Sequence, residues 1–232
     1  MIDILAIAAH PDDVEQTCGG ALLRMAEMGY RTGVLDLTAG EMGSRGTPET
    51  RLEEAEAAAR VLQLSFRGNM HFPDTRLLDG IEYREKLALE IRRLRPRTVV
   101  LPYWEARHPD HYRAGTLGYE ASFVAGLRKL DPSSSPHRPY KIIYSSMYAN
   151  VVPSFVVDVT SQFERRMESL FCYTSQYGES SEMFAGNDEI RERLAGIARH
   201  YGNLIGATYG EPYVVRETMQ IDDLVGLPVR TF

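Results

Sequence analysis

The chain has 232 residues, 44% hydrophobic and 25% charged, with a formal net charge of −6 at pH 7. Those fractions suit a globular protein, and the length can bury a good core, so 1–232 is expected to form a single domain. The acidic balance argues against a nucleic-acid or anionic-membrane surface; two distant cysteines, Cys18 and Cys172, exclude a disulfide framework and a CxxC metal site.

Ile2–Ala8 is a short, nearly all-apolar run and reads as a buried strand of a parallel sheet. The apolar stretch Ile4–Ala9 is too short for a signal peptide and leads straight into His10-Pro11-Asp12-Asp13. No apolar segment approaches a bilayer span, so a cytoplasmic protein is expected. A helix should run from about Val14 to Met28, with Gly29 as its stop. Thr32–Leu37 repeats the strand pattern, and Gly40–Thr47 is a Gly-rich loop. It lacks a Gly-Lys-Ser/Thr ending, so it is no Walker-type phosphate loop. Thr47 and Pro48 then open a helix to about Leu62, as N-cap and first helical residue.

Phe66–Phe72 suggests a third strand, Ile81–Leu94 a helix, and Thr98–Leu101 a buried strand ending at Pro102. His108–Gly126 reads as a loop leading into a helix, and Asp131–Pro139 as a connecting loop. Strands are expected at Ile142–Met147 and Ser154–Val159, and helices at Phe163–Tyr173 and about Asp188–His200. The stretch from Gly202 is expected to pack around the rim of the site. Alternating strands and helices predict an α/β fold: a Rossmann-like, doubly wound, mainly parallel sheet flanked by helices.

Ligands in such sheets bind at the carboxyl ends of the strands. Two related tetrapeptides occupy those positions: His10-Pro11-Asp12-Asp13 and His108-Pro109-Asp110-His111. A catalytic zinc site needs about three protein ligands and an open position; imidazole and carboxylate also suit Fe(II) and other borderline divalent ions. A turn can bring His10 and Asp13 to one metal, with His111 completing the set. Asp12 is then free to take a proton from water, and His108 to donate one or stabilise an oxyanion. The plainer alternative is that Asp12 or Asp13 caps the helix that follows.

The matching pieces Ala8-Ala9-His10-Pro11-Asp12-Asp13-Val14-Glu15, Gly19-Gly20, Asp36-Leu37-Thr38, Arg51-Leu52-Glu53-Glu54-Ala55, Pro73-Asp74 and His108-Pro109-Asp110-His111 carry a resemblance. The sequence resembles the LmbE/PIG-L family of zinc-dependent N-acetylglucosaminyl deacetylases over nearly the whole chain. Arg107, His137-Arg138, Ser175-Gln176 and Tyr209-Gly210-Glu211 are similar to the bacillithiol-biosynthesis branch, which acts on N-acetylglucosaminyl malate. The resemblance implies zinc bound by His10, Asp13 and His111, with Asp12 as general base and His108 as proton donor or oxyanion partner. It implies that Asp110 orients His108 and that Arg51 and Asp74 hold the sugar. It also implies a small-molecule N-acetylglucosaminyl substrate, no nucleic-acid or membrane partner, and a homo-oligomer, with a hexamer as a common form.

Malate carries two carboxylates, for which arginine is the natural partner. Arg51 and Arg107 are the leading clamps, with Arg45 and Arg138 as further candidates. Tyr103 and Trp104 are expected either to stack on a sugar or to pack; His71, beside Pro73-Asp74, is expected to be structural, with a reach into the site as the alternative, and His137 and His200 are expected to be structural or on the surface. Some relatives place a tyrosine on the helix matching about Asp188–Arg199, where this chain has Ile190. Either another tyrosine serves, or the metal and His108 hold the oxyanion. Alternative activities are deacetylation of another N-acetyl sugar or of a thiol conjugate; a non-catalytic sugar-binding protein is the alternative of another class.

Overall fold

The computed structural model describes residues 1–77, 80–146, 150–177 and 187–229. In chain order the elements are β1 (Ile4–Ala8), α1 (Asp13–Thr17), α2 (Gly19–Glu27), β2 (Thr32–Asp36), α3 (Pro48–Val61), β3 (Phe66–Asn69), α4 (Ile81–Leu94) and β4 (Thr98–Pro102). There follow α5 (Pro109–Val124), β5 (Lys141–Ser145), β6 (Phe155–Asp158), α6 (Phe163–Leu170), α7 (Thr174–Tyr177), α8 (Asn187–Asn203) and β7 (Gly210–Val214). Met147, at the end of one expected strand, lies outside the described residues.

The strands form one sheet in the order β3-β2-β1-β4-β5-β7-β6. The first five in that order pair in parallel. The order reverses between β1 and β4, so the crevice at their carboxyl ends is the switch point where such sheets bind ligands. Side chains alternate across the sheet. Leu5 and Ile7 pack with α4 and α5 in one cluster, whereas Ala6 and Ala8 face α1 and α2 in another. A third cluster joins α3, α6 and α8 through Ala58, Met167, Tyr173 and Leu194.

Several elements differ from the sequence reading: β3 stops at Asn69 rather than Phe72, α6 at Leu170 rather than Tyr173, and α7 is an addition. The helix expected from Val14 to Met28 breaks at Cys18 into α1 and α2. Buried Arg166 donates to the carbonyl of Glu15 (2.9 Å) and to that of Gln16 at the end of α1. Glu211 accepts from the amides of Gly20 (2.9 Å) and Ala21 (2.8 Å) at the start of α2. Arg166 and Glu211 lie 3.5 Å apart, so one buried ion pair satisfies two helix ends at once. Glu211 belongs to β7, within the stretch from Gly202 that was expected only to pack around the rim of the site. β7 is instead an antiparallel strand between β5 and β6, because the tertiary pairing overrides its Gly and Pro content.

α5 lies against the end of β4, and Gly115 makes this approach possible. A Cβ at that position would sit 2.5 Å from the carbonyl oxygen of Pro102, a backbone atom that has no room to yield. Gly115→Ala is therefore expected to cost about 1–3 kcal/mol, the usual range for overpacking. Chemical denaturation at constant m-value checks this; an unchanged midpoint would show that α5 can shift freely.

Among the described residues no helix is long and apolar enough to cross a membrane.

Candidate metal centre and active site

The loop after β1 places the first half of the site. The amide of His10 donates to Asp13 Oδ2 at 3.0 Å, closing the turn. Asp12 sits in the left-handed region at φ 101°, a conformation uncommon outside glycine though least so for Asp and Asn. Strain of this kind persists only when the surroundings hold it. Here Tyr177 Oη donates to Asp12 Oδ2 at 2.6 Å, and Arg51 Nη2 lies 3.5 Å from Asp12 Oδ1.

The second half follows β4. His108 is the N-cap of α5; its Nδ1 accepts from the Asp110 amide at 3.2 Å, and Pro109 takes the first helical position. One turn on, His111 Nε2 lies 3.1 Å from Asp13 Oδ1, while His10 Nδ1 lies 3.6 Å from Asp13 Oδ2. The Asp13 carboxylate thus stands between the two imidazoles. His108 joins them, its ring 4.9 Å from those of His10 and His111.

His10 Nε2 donates to Asp74 Oδ1 at 2.9 Å and lies 3.5 Å from Asp110 Oδ2. The Thr75 amide donates to both carboxylates at 2.8 Å. Among the described residues, two sets of potential ligand atoms lie within 4.8 Å of one another: His10, His108 and His111, and His10, Asp74 and Asp110. The 2.9 Å contact is a hydrogen-bond length, which commits Nε2 to Asp74 and leaves Nδ1 for a metal. That is the arrangement by which carboxylates fix ligating histidines.

The electrostatics fit a cation. Asp12, Asp13, Asp74 and Asp110 are all buried. Burial alone would lower the His10 pKa, but hydrogen bonds to Asp110, Asp13 and Asp74 push it up to about 12. The cluster thus draws positive charge to itself, as a proton on His10 or as a metal ion. Burial acts to raise Asp13, yet His111 and His10 hold it well below the usual carboxylate range. Burial pushes Asp12 up to about 6, with Arg51 opposing, Asp13 adding and Tyr177 opposing. His108 is lowered by burial and by the charges of His10 and His111. An imidazole and carboxylate set without thiolate suits zinc, Fe(II) or a similar divalent ion.

The remaining expected site residues divide. Asp110 does not orient His108: its carboxylate points to His10 and Thr75, because His108 is turned back as a helix cap. Arg51 is buried, donating to the carbonyls of Pro11 (2.6 Å) and Gly40 (3.3 Å). Its path explains the Gly-rich loop: Gly40 is at φ 68°, and a Cβ there would lie 2.0 Å from Arg51 Nη1. Asp74 is in the cluster, but as the partner of His10. Arg107 is exposed immediately before His108. Arg138 is not at the site. It precedes β5, so it lies at the amino end of the sheet, with its guanidinium stacked 4.7 Å from Phe123. The crossover through α5 carries the chain away from the carboxyl ends before Arg138 is reached. The rings of Tyr103 and Trp104 meet at a tilt, their centroids 4.2 Å apart, and both pack on the core.

Tyr177 was missed as a site residue. The matching position Ile190 is buried in the same cluster as Tyr177, and the tyrosine that reaches the site comes from α7 instead of α8. The only sequence signal was its place directly after Ser175-Gln176. A second support was missed as well: Arg67 holds Asp36 through two bonds (3.0 and 3.1 Å) and also pairs with fully buried Glu15 of α1.

The sequence profile of PIG-L, GlcNAc-PI de-N-acetylase, matches residues 5–122. Diacetylchitobiose deacetylase from Thermococcus kodakarensis is 31% identical over 221 residues, covering 90% of this chain and 80% of that one. The conserved protein TT1542 from Thermus thermophilus superposes with a TM-score of 0.87 at 40% identity, covering 96% of this chain and 98% of that one. N,N'-diacetylchitobiose deacetylase from Pyrococcus horikoshii superposes with a TM-score of 0.82 at 26% identity, covering 92% and 83%.

Proposed function

From the premise that this chain belongs to the PIG-L de-N-acetylase family, we propose that it is a metal-dependent deacetylase of an N-acetylglucosamine-containing small molecule. The observation that carries the reading is the Asp13 carboxylate between His10 and His111, with the separately held carboxylate of Asp12 beside it. His10, Asp13 and His111 would hold the ion. A divalent ion there supplies Lewis acidity to the acetyl carbonyl and acidifies water.

The chain's own groups do the rest. Asp12 accepts the proton of the attacking water at its carboxylate, held in place by Tyr177 and Arg51. The water oxygen bonds to the acetyl carbon, the C–N bond breaks, and the proton passes to the leaving nitrogen, giving acetate and a free amine. His108 Nδ1 is occupied by the Asp110 amide, so Nε2 is the atom that faces the reaction as donor. Asp74 and Asp110 fix the tautomer of His10.

The finer form of the proposal is N-acetylglucosaminyl malate, supported by the resemblance to the bacillithiol branch. Arg51 is committed to backbone carbonyls and Arg138 lies elsewhere, so Arg107 and Arg45 are the clamps that remain. Acetate release is expected from the zinc-loaded protein and not after chelation. Offering the malate conjugate beside diacetylchitobiose and plain N-acetylglucosamine separates the levels of the reading. Preference for the malate conjugate supports the finer form, and preference for diacetylchitobiose removes it while keeping the deacetylase. Zinc-loaded protein that releases acetate from none of them would overturn both.

A further inference from the structure

The segment Tyr173–Tyr177 ties four parts of the site together. Tyr173 Oη donates to Glu15 Oε1 of α1 at 3.3 Å. Thr174 Oγ1 donates to Glu54 Oε1 at 3.1 Å, and Ser175 grips both oxygens of that carboxylate at 2.7 Å, one with its amide and the other with its hydroxyl. Gln176 Nε2 donates to the Arg45 carbonyl of the Gly-rich loop at 3.0 Å. Tyr177 Oη then reaches Asp12. The last four of these residues are α7. A single helical turn is not stable by itself in water, so its partners decide where it lies.

We propose that Glu54 is a positioning residue of the hydrolysis: by holding α7 through Ser175, it sets Tyr177 Oη against the base, Asp12. The proposal rests on the deacetylase reading, in which Asp12 takes the proton of the attacking water.

Glu54 is buried on α3, three residues after Arg51, so the two share one face of that helix. Arg51 fixes the backbone at Pro11, directly before Asp12. Glu54 fixes the hydroxyl that meets the Asp12 side chain. One helix thus locates the base from two sides, which the left-handed backbone of Asp12 requires if it is to persist. A buried carboxylate is costly unless it is hydrogen-bonded, and here α7 supplies the donors. Because Ser175 binds the two oxygens with two separate groups, α7 cannot pivot about a single bond. A rotation of α7 would carry Tyr177 Oη away from Asp12.

The test uses the zinc-loaded protein with diacetylchitobiose and N-acetylglucosaminyl malate as substrates. Glu54→Ala is expected to lower kcat about a hundredfold, the cost of a misplacement of about 1 Å at a catalytic group, with KM and zinc content little changed. Glu54→Gln keeps an acceptor for the Ser175 amide and can donate to Ser175 Oγ, so it should restore most of the rate. Tyr177→Phe removes the hydroxyl through which Glu54 acts. On that background Glu54→Ala should cost less than about threefold, because residues that act as a unit are not additive. Ser175→Ala leaves α3 untouched and serves if Glu54→Ala does not fold. It should lower kcat about tenfold, the worth of one hydrogen bond to a charged group, and again only while Tyr177 is present. The NMR resonance of the hydroxyl-bearing ring carbon of Tyr177, identified by its loss in Tyr177→Phe, reads the same link without turnover. It should move in Glu54→Ala and return in Glu54→Gln.

An equal fall in kcat with and without the Tyr177 hydroxyl would overturn the proposal. So would a folded, zinc-replete Glu54→Ala that turns over at the wild-type rate. If the wild type releases no acetate, the deacetylase reading fails separately. In that case a Tyr177 resonance that moves in Glu54→Ala still supports the link, and one that stays in place rejects it.

Discussion

Asp12→Asn is expected to lower kcat by about a thousandfold, within the range that a positioned general base contributes, while the protein keeps its metal and its stability. The structure makes this a clean substitution. Asn tolerates the left-handed backbone that Asp12 adopts at φ 101°, and an amide oxygen can still accept the hydrogen bond from Tyr177. Neither His10, Asp13 nor His111 needs the Asp12 carboxylate for its position. Only the capacity to take a proton is lost. Steady-state kinetics together with metal analysis check the outcome. Turnover within about tenfold of wild type would remove Asp12 as the base, given what such a group contributes; loss of metal would make it a ligand instead.

Removing the metal should have the other large effect, on stability as well as on rate. Four buried carboxylates meet three imidazoles, and an unpaired buried charge is costly. A divalent ion bound only by the folded protein adds about 2.7 kcal/mol when its concentration is about a hundred times Kd. Zinc should therefore raise the melting temperature of the wild type by several degrees. His111→Ala takes away one imidazole and leaves Asp13 facing His10 alone. That variant should lose turnover by more than about a hundredfold and lose most of the zinc-dependent rise in melting temperature. An unchanged zinc response in His111→Ala would place the ion elsewhere, with the carboxylate set around His10, Asp74 and Asp110 as the first alternative.

The parts of this site legible in the sequence were those written in short local patterns. The apolar runs marked every strand but β7, and the two His-Pro-Asp tetrapeptides fell after β1 and β4, where the fold brings them together. What stayed hidden depended on long-range partners. Nothing near Cys18 announces the break between α1 and α2, because the groups that cap it are Arg166 and Glu211. Tyr177 could not be distinguished from a core tyrosine without knowing that α7 reaches Asp12. Arg51 and Asp74 were recognisable as site residues, but their hydrogen bonds decide that they support the backbone and His10. Arg138 was misplaced because a position beside a loop says nothing about which end of the sheet that loop serves. The resemblance assigned Asp110 to His108, whereas its side chain belongs to His10, on the far side of the switch point.

The Arg166–Glu211 pair also bears on how the protein is born. On the ribosome, β1 and the His10–Asp13 turn emerge before His111, which lies about a hundred residues further along. The glutamate that anchors the start of α2 comes much later, in β7. Domains fold as units during synthesis. Here the start of α2 reaches its final hydrogen bonding only once β7 has been made and has paired with its neighbours, so an early element of the chain waits on a late one.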